Sequence, residues 1–191
     1  ISANYQSYNE MNGDNINDVF VDESKRIWLA NYPTGITVID YRYENYHWMK
    51  HSMGNKQSIV NDQVHAVIED SDGDLWFGTS NGISLYNSGT GEWHSFLSSF
   101  NHQLKDKNHI FITLCEVSPG IIWAGGYTSG IYKINKADLS VEYFSPYLLS
   151  HINMRPDKYI RDMIKDSKGH IWSGGYYNLK CFDLATNRVR L

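Results

Sequence analysis

The 191-residue sequence is poor in cysteine and proline and carries no strong excess of either charge, and each scarcity removes a class of protein. Cys115 and Cys181 are too few for a disulfide framework and show no C-x-x-C spacing for zinc or redox chemistry. They read as two small buried hydrophobes. Seventeen Lys and Arg against 21 Asp and Glu give a net charge of −4. That balance lacks the basic footprint drawn to a phosphate backbone, so nucleic acid is not an expected partner. No run approaches the roughly 18–20 apolar residues that cross a bilayer. Ile1-Ser2-Ala3-Asn4 has neither the basic nor the apolar region of a secretory leader, so direct membrane insertion is not expected of this segment. Eight histidines show no zinc-protease spacing, and no nucleophile elbow, phosphate loop or Ser-His-Asp order is present. No catalytic residue, cofactor or metal is assigned, and this segment is not expected to be an enzyme.

What is plentiful is aromatic: 14 tyrosines and six tryptophans in a chain that is 41% hydrophobic. Such a composition supports a sizeable core and favours strands, because aromatic rings fit half-buried pleated surfaces. Trp28, Trp76, Trp123 and Trp172 recur at intervals of 48, 47 and 49 residues, self-similarity of the kind that marks propellers and solenoids. Six residues before them stand Asp22, Asp70, Val117 and Asp166; three before stand Lys25, Gly73, Gly120 and Gly169. An Asp that accepts backbone N–H bonds and a Gly that takes positive φ are the parts of a β-hairpin turn. Two residues after the Trp come Ala30, Gly78, Gly125 and Gly174, small enough to let another sheet approach. A second turn ends in Gly35-Ile36, Gly82-Ile83, Gly130-Ile131 and Asn178-Leu179, with Asn standing in for Gly at positive φ.

Each repeat thus holds an apolar strand (Val64–Ile68), a Trp strand (Leu75–Gly78), a third strand (Ile83–Tyr86) and a fourth around Trp48, Trp93, Tyr143 or Arg188-Val189. Four short antiparallel strands per unit make a propeller blade. Helical repeats would need a 3.6-residue period, which these β-branched, glycine-broken segments lack. The expected fold is all-β, a partial β-propeller of four blades at 14–54, 55–104, 105–154 and 155–191, with 1–13 ending a preceding segment. The four tryptophans are expected between adjacent sheets as architecture, each contributing at most about 4–6 kcal/mol gross.

The string from Val67 to Ile83, which contains Asp70, Gly73 and Leu75-Trp76-Phe77-Gly78-Thr79, closely resembles the two-component-regulator propeller repeat. The resemblance runs over about residues 14–191. It departs at Lys25, at Ala30-Asn31, at Val117 and at Asn178. It implies the periplasmic sensor region of a hybrid two-component system histidine kinase from Bacteroides-like bacteria, built from seven-bladed propellers and induced by oligosaccharides. On that implication the chain is part of a larger seven-bladed array, with the membrane helix and kinase elsewhere in the parent protein.

Loops at one end of the blades are where a ligand is expected. Four residues past the Trp stand Tyr32, Ser80, Tyr127 and Tyr176, with Tyr177 beside the last. Such rings can stack on sugars or pack on the neighbouring blade. The polar connections around Lys105 and Arg155, and the pair Arg161-Asp162 that opens the first strand of the fourth repeat, can hydrogen-bond hydroxyls or an anionic sugar. Arg161 and Asp162 can equally satisfy each other. Asp70-Ser71-Asp72-Gly73-Asp74 superficially resembles a calcium loop but has its Gly misplaced and Asn81 where Glu is required, so it reads as a hairpin turn. The expected function is ligand sensing or interaction in signal transduction, carbohydrate-responsive. The alternatives are a propeller enzyme similar to streptogramin lyase and a purely structural or dimerising segment. Four blades of a seven-bladed family leave an open arc with an apolar face at each end. Self-association or further blades are therefore expected as partners, alongside an oligosaccharide.

Overall fold

The computed structural model describes residues 15–40, 45–99, 109–144, 158–186 and 188–190, and all regular structure among them is strand. The first sheet comprises β1 (Ile16–Val21), β2 (Ile27–Asn31), β3 (Gly35–Asp40) and β4 (Asn45–Met49). The second holds β5 (Val64–Glu69), β6 (Leu75–Thr79), β7 (Gly82–Tyr86) and β8 (Trp93–Phe96). The third holds β9 (Phe111–Ser118), β10 (Ile121–Gly126), β11 (Gly130–Asn135) and β12 (Ser140–Phe144), and the fourth β13 (Ile160–Lys165), β14 (Ile171–Gly175), β15 (Leu179–Asp183) and β16 (Arg188–Arg190). Every sheet is an antiparallel meander in chain order. The Trp of each second strand pairs with Phe20, Ile68, Cys115 and Ile164 of the first strands, so the four registers coincide.

The turn chemistry explains the spacing. Asp22, Asp70 and Asp166 accept the indole N–H six residues on, at 3.0, 2.8 and 2.9 Å, through one carboxylate oxygen. The other oxygen caps backbone N–H groups of the turn. Gly73 and Gly169 both take φ of +82°, and Lys25 is held at +66° in the same place. Val117 cannot accept, and Glu116 Oε1 takes the Gly120 N–H at 2.9 Å.

At the second turn the reading of Asn178 fails. Gly35, Gly82 and Gly130 have φ of +92°, +97° and +81°, but Asn178 does not take a positive φ. The three glycine N–H groups donate to Asp62, His109 and Lys158 carbonyls at 2.7, 2.7 and 2.8 Å, each on the approach to the next sheet. Among the described residues no further sheet offers the fourth turn such a carbonyl, and it closes on itself through Gly175 N–H to Asn178 O at 2.9 Å.

The first strands β1, β5, β9 and β13 pack against one another in sequence, and each second strand packs against the first strand of the next sheet. The sheets therefore radiate from an axis lined by first strands, which is the propeller arrangement. Three apolar clusters fill the three seams. Trp28 meets Phe77 of the next sheet at 6.1 Å between centroids, and Trp123 meets Phe182 edge-on at 5.4 Å. Trp76 lies with Leu114, Ile122 and Ala124. Two of the small residues past the Trp act as expected: a Cβ on Gly78 would stand 2.8 Å from the Phe111 carbonyl of the next sheet and one on Gly125 2.6 Å from Ile160, whereas a Cβ on Gly174 would meet no described atom within 4 Å. Cys115 and Cys181 are free and buried, and burial pushes the Cys115 thiol up.

Candidate ligand face

In the first three sheets the residue four past the Trp is stitched to the start of its own sheet. Tyr32, Ser80 and Tyr127 donate their backbone N–H to Asn15, Gln63 and Ile110 carbonyls, each at 2.9 Å. This places the second turns and the beginnings of the first strands on one rim around the axis. A bulge at the same point of β1, β5 and β13 sets Asn17, His65 and Arg161 out of register on that rim.

Four tyrosines join across the rim of the third and fourth sheets. Tyr127 meets Tyr159 at 4.7 Å between ring centroids and 65°, Tyr159 meets Tyr176 at 5.1 Å and 81°, and Tyr176 meets Tyr177 at 5.6 Å and 55°. Edge-to-face pairs contribute roughly 0.5–1.5 kcal/mol each, enough to fix ring orientation without burying the faces. Tyr176 and Tyr177 remain 71% and 73% exposed. Arg161 donates from Nη1 to the Tyr159 hydroxyl at 3.1 Å. The cluster thus presents aromatic faces beside phenol hydroxyls and a guanidinium, groups that stack on the C–H faces of sugar rings and hydrogen-bond their hydroxyls. Tyr127, Tyr176, Tyr177 and Arg161 were all candidates in the sequence. Tyr159, which links them, was not: it takes the place that Asn15, Gln63 and Ile110 hold in the other repeats, where no residue type recurs to single it out.

Tyr32 belongs elsewhere. It packs on His65 in the seam of the first two sheets, with centroids 5.8 Å apart, and His65 Nε2 lies 2.8 Å from Ser80 Oγ. Burial pushes the His65 pKa below its usual 6.5, so the ring is neutral at neutral pH. Arg161 and Asp162 do not satisfy each other: Asp162 Oδ1 accepts the Met163 N–H at 2.8 Å and the Thr113 hydroxyl at 3.2 Å. Arg155 and Lys105 lie outside the described residues.

The calcium-like loop already holds a cation, supplied by the chain. Lys136 Nζ of the third sheet reaches Asp70, Asp72 and Asp74 at 2.7, 2.8 and 2.9 Å. A groove of about 320 Å³ on the fourth sheet is lined by the equivalent residues, among them Asp166, Ser167, Trp172 and Cys181. It lies at a hairpin turn and an outer sheet face, away from the tyrosine rim.

Residues 58–81 match the family model of the two component regulator propeller, on the second repeat, whose sequence carries that resemblance most fully. No curated protein sequence matches the chain. Among solved structures the fold is similar to the extracellular domain of BT3049 from B. thetaiotaomicron, described as a hybrid two component system, with a TM-score of 0.81, 21% identity and 99% of this chain covered. It is also similar to the extracellular domain of BT4673 from the same organism, with a TM-score of 0.71, 18% identity and 95% of this chain covered. The chain spans 25% of the length of each. A gluconolactonase from Xanthomonas campestris shares the fold at a TM-score of 0.63 and 14% identity, over 91% of this chain and 60% of its own. At these identities the likeness is one of fold. The chain is a β-propeller segment of four blades, and the repeat in its second blade is that of the two component regulator propeller.

Proposed function

We propose that the chain is a ligand-sensing part of the extracytoplasmic, periplasmic region of a hybrid two-component receptor, and that its ligand is an oligosaccharide. The observation that carries this reading is the exposed tyrosine cluster with Arg161 on the rim of the third and fourth blades. Buried aromatic residues hold the seams, whereas these rings turn their faces to solvent in one place. Rigid, amphipathic faces beside hydrogen-bond donors suit a polyhydroxylated ligand. The family match and the likeness to extracellular domains of two component systems support the receptor setting. Signal output then passes to a kinase outside these residues. The propeller-enzyme reading has in its favour the shared fold with a gluconolactonase.

A thermal-shift screen of the ectodomain that contains this chain, run against oligosaccharides, tests the proposal. A binding sugar should raise the unfolding midpoint, and Tyr127→Ala and Tyr176→Ala should each weaken that shift. A sugar that binds equally well to both variants removes the tyrosine rim from the site.

A further inference from the structure

Two cations at the hairpin-turn end of the blades are matched by acid. Arg26 Nε meets Asp22 at 2.6 Å, and Lys136 Nζ meets Asp70, Asp72 and Asp74 at 2.7, 2.8 and 2.9 Å. Arg161, on the tyrosine rim at the other end, is not. It is exposed, and among the described residues its side chain makes one hydrogen bond, from Nη1 to the Tyr159 hydroxyl at 3.1 Å, and no ion pair. The neighbouring Asp162 is committed elsewhere, since its Oδ1 takes the Met163 N–H at 2.8 Å and the Thr113 hydroxyl at 3.2 Å. The bulge between Ile160 and Asp162 lifts Arg161 out of the ladder. In the other repeats Asn17, His65 and Ile112 hold that place, and burial keeps the His65 ring neutral at neutral pH. The rim thus gains a fixed positive charge only where the tyrosines gather.

The chemistry of the guanidinium decides what answers that charge. Arginine carries five N–H donors and no acceptor. With Nη1 on Tyr159, the edge formed by Nε and Nη2 is uncommitted among the described residues. Its two parallel N–H groups match two oxygens of one carboxylate or sulfate. A sugar hydroxyl offers one oxygen and needs an acceptor for its own proton, which arginine cannot supply. A site whose strongest polar group only donates favours a ligand group that only accepts.

We infer that Arg161 makes the rim of blades three and four selective for an acidic oligosaccharide, one whose carboxylate or sulfate sits on the Nε–Nη2 edge while Tyr176 or Tyr177 stacks on the sugar ring. This inference rests on the tyrosine rim being the sugar site.

The test titrates the ectodomain that contains this chain with matched pairs of probes that differ in charge. Oligogalacturonides are set against their methyl esters, and sulfated galactan oligosaccharides against the desulfated forms. At least one acidic probe should bind, its neutral counterpart should bind about tenfold or more weakly, and the preference should shrink as salt rises from about 0.05 to 0.5 M. The pair that discriminates tells a carboxylate from a sulfate. Arg161→Gln should cost about tenfold or more in affinity for the acidic probe and little for the neutral one, and Arg161→Lys should recover part of the loss. Lys168→Gln removes the same charge at the hairpin-turn end and should change nothing. An equal loss in Lys168→Gln makes the effect one of net charge and overturns the inference, as does a neutral probe that binds as tightly as its acidic partner. If Tyr176→Ala still weakens that neutral probe, the rim stands and only its acid preference falls. Acidic probes that bind Tyr127→Ala and Tyr176→Ala as tightly as the native protein remove the rim, and a screen with no binder overturns both.

Discussion

Lys136→Met probes the seam between blades two and three, where one ammonium meets three carboxylates. Asp70 and Asp74 are buried, whereas the Asp72 side chain is 68% exposed. Breaking a buried ion pair from one side costs about 3–5 kcal/mol, since the surviving charge stays desolvated, while an exposed pair is worth less than about 1 kcal/mol. Asp70 keeps the Trp76 indole N–H at 2.8 Å, and Asp74 keeps the Asn87 amide at 3.0 Å and the Ser88 N–H at 2.9 Å. These partners hold the expected loss near the lower end, about 3 kcal/mol, or roughly 6–12 °C in midpoint for a chain of this size. The pH dependence has a definite sign. Burial raises the Asp70 pKa, but its bonds from Lys136 and Trp76 outweigh burial and hold it below the ordinary 3.8. Its contribution is therefore complete above 3.8 and is lost as pH falls through the lower folded value. Lys136 is desolvated too, yet the three carboxylates hold its pKa well above 10.5, so its contribution is complete below 10.5. In Lys136→Met the buried Asp70 carboxylate loses the ammonium that holds its pKa down and takes up its proton at higher pH than in the native chain, so the stability gap should narrow as pH drops towards about 4. Thermal unfolding from pH 4 to 8 (roughly) reads both effects. A loss under about 1 kcal/mol at neutral pH, or a gap that widens in acid, refutes the buried-lock reading.

Two further changes separate strain and architecture from the ligand face. Lys25→Gly relieves a side chain held at φ +66° and should raise stability by up to about 1 kcal/mol, measured by urea unfolding; a decrease means that Lys25 is not strained there. Trp123→Ala empties the seam against Phe182 and should cost about 3–5 kcal/mol, whereas Tyr176→Ala, which loses only its exposed ring pairs with Tyr159 and Tyr177, should cost about 1 kcal/mol. Comparable losses for the two would erase the distinction between seam and rim.

The tryptophan period, the Asp and Gly of the hairpin turn and the small residues past the Trp were readable because each is a local device repeated in register. Those columns carry the fold even where single members depart, as Lys25 does by adopting the glycine conformation itself. Contacts set by the third dimension were not readable. Lys136 lies 66 residues from Asp70, and nothing in either local string announces the pair. Tyr159 shares its column with Asn15, Gln63 and Ile110, none of them aromatic, so its role in joining Tyr127 to Tyr176 emerges only when blades three and four meet. Tyr32 shares the tyrosine column but faces His65, which shows that a column fixes backbone position and leaves the neighbours to the next blade. Asn178 departs from its column because the positive φ of that turn accompanies a bond to the following sheet, and among the described residues the fourth sheet has no such partner.

A crystal structure of the ectodomain with a stabilising oligosaccharide bound is the most direct test of the ligand face. The account predicts a sugar ring in van der Waals contact, within about 4 Å, on the face of Tyr176, Tyr177 or Tyr127, with Arg161 or the Tyr159 hydroxyl bonded to its hydroxyls. A sugar bound elsewhere on the ectodomain, with those rings bare, contradicts it.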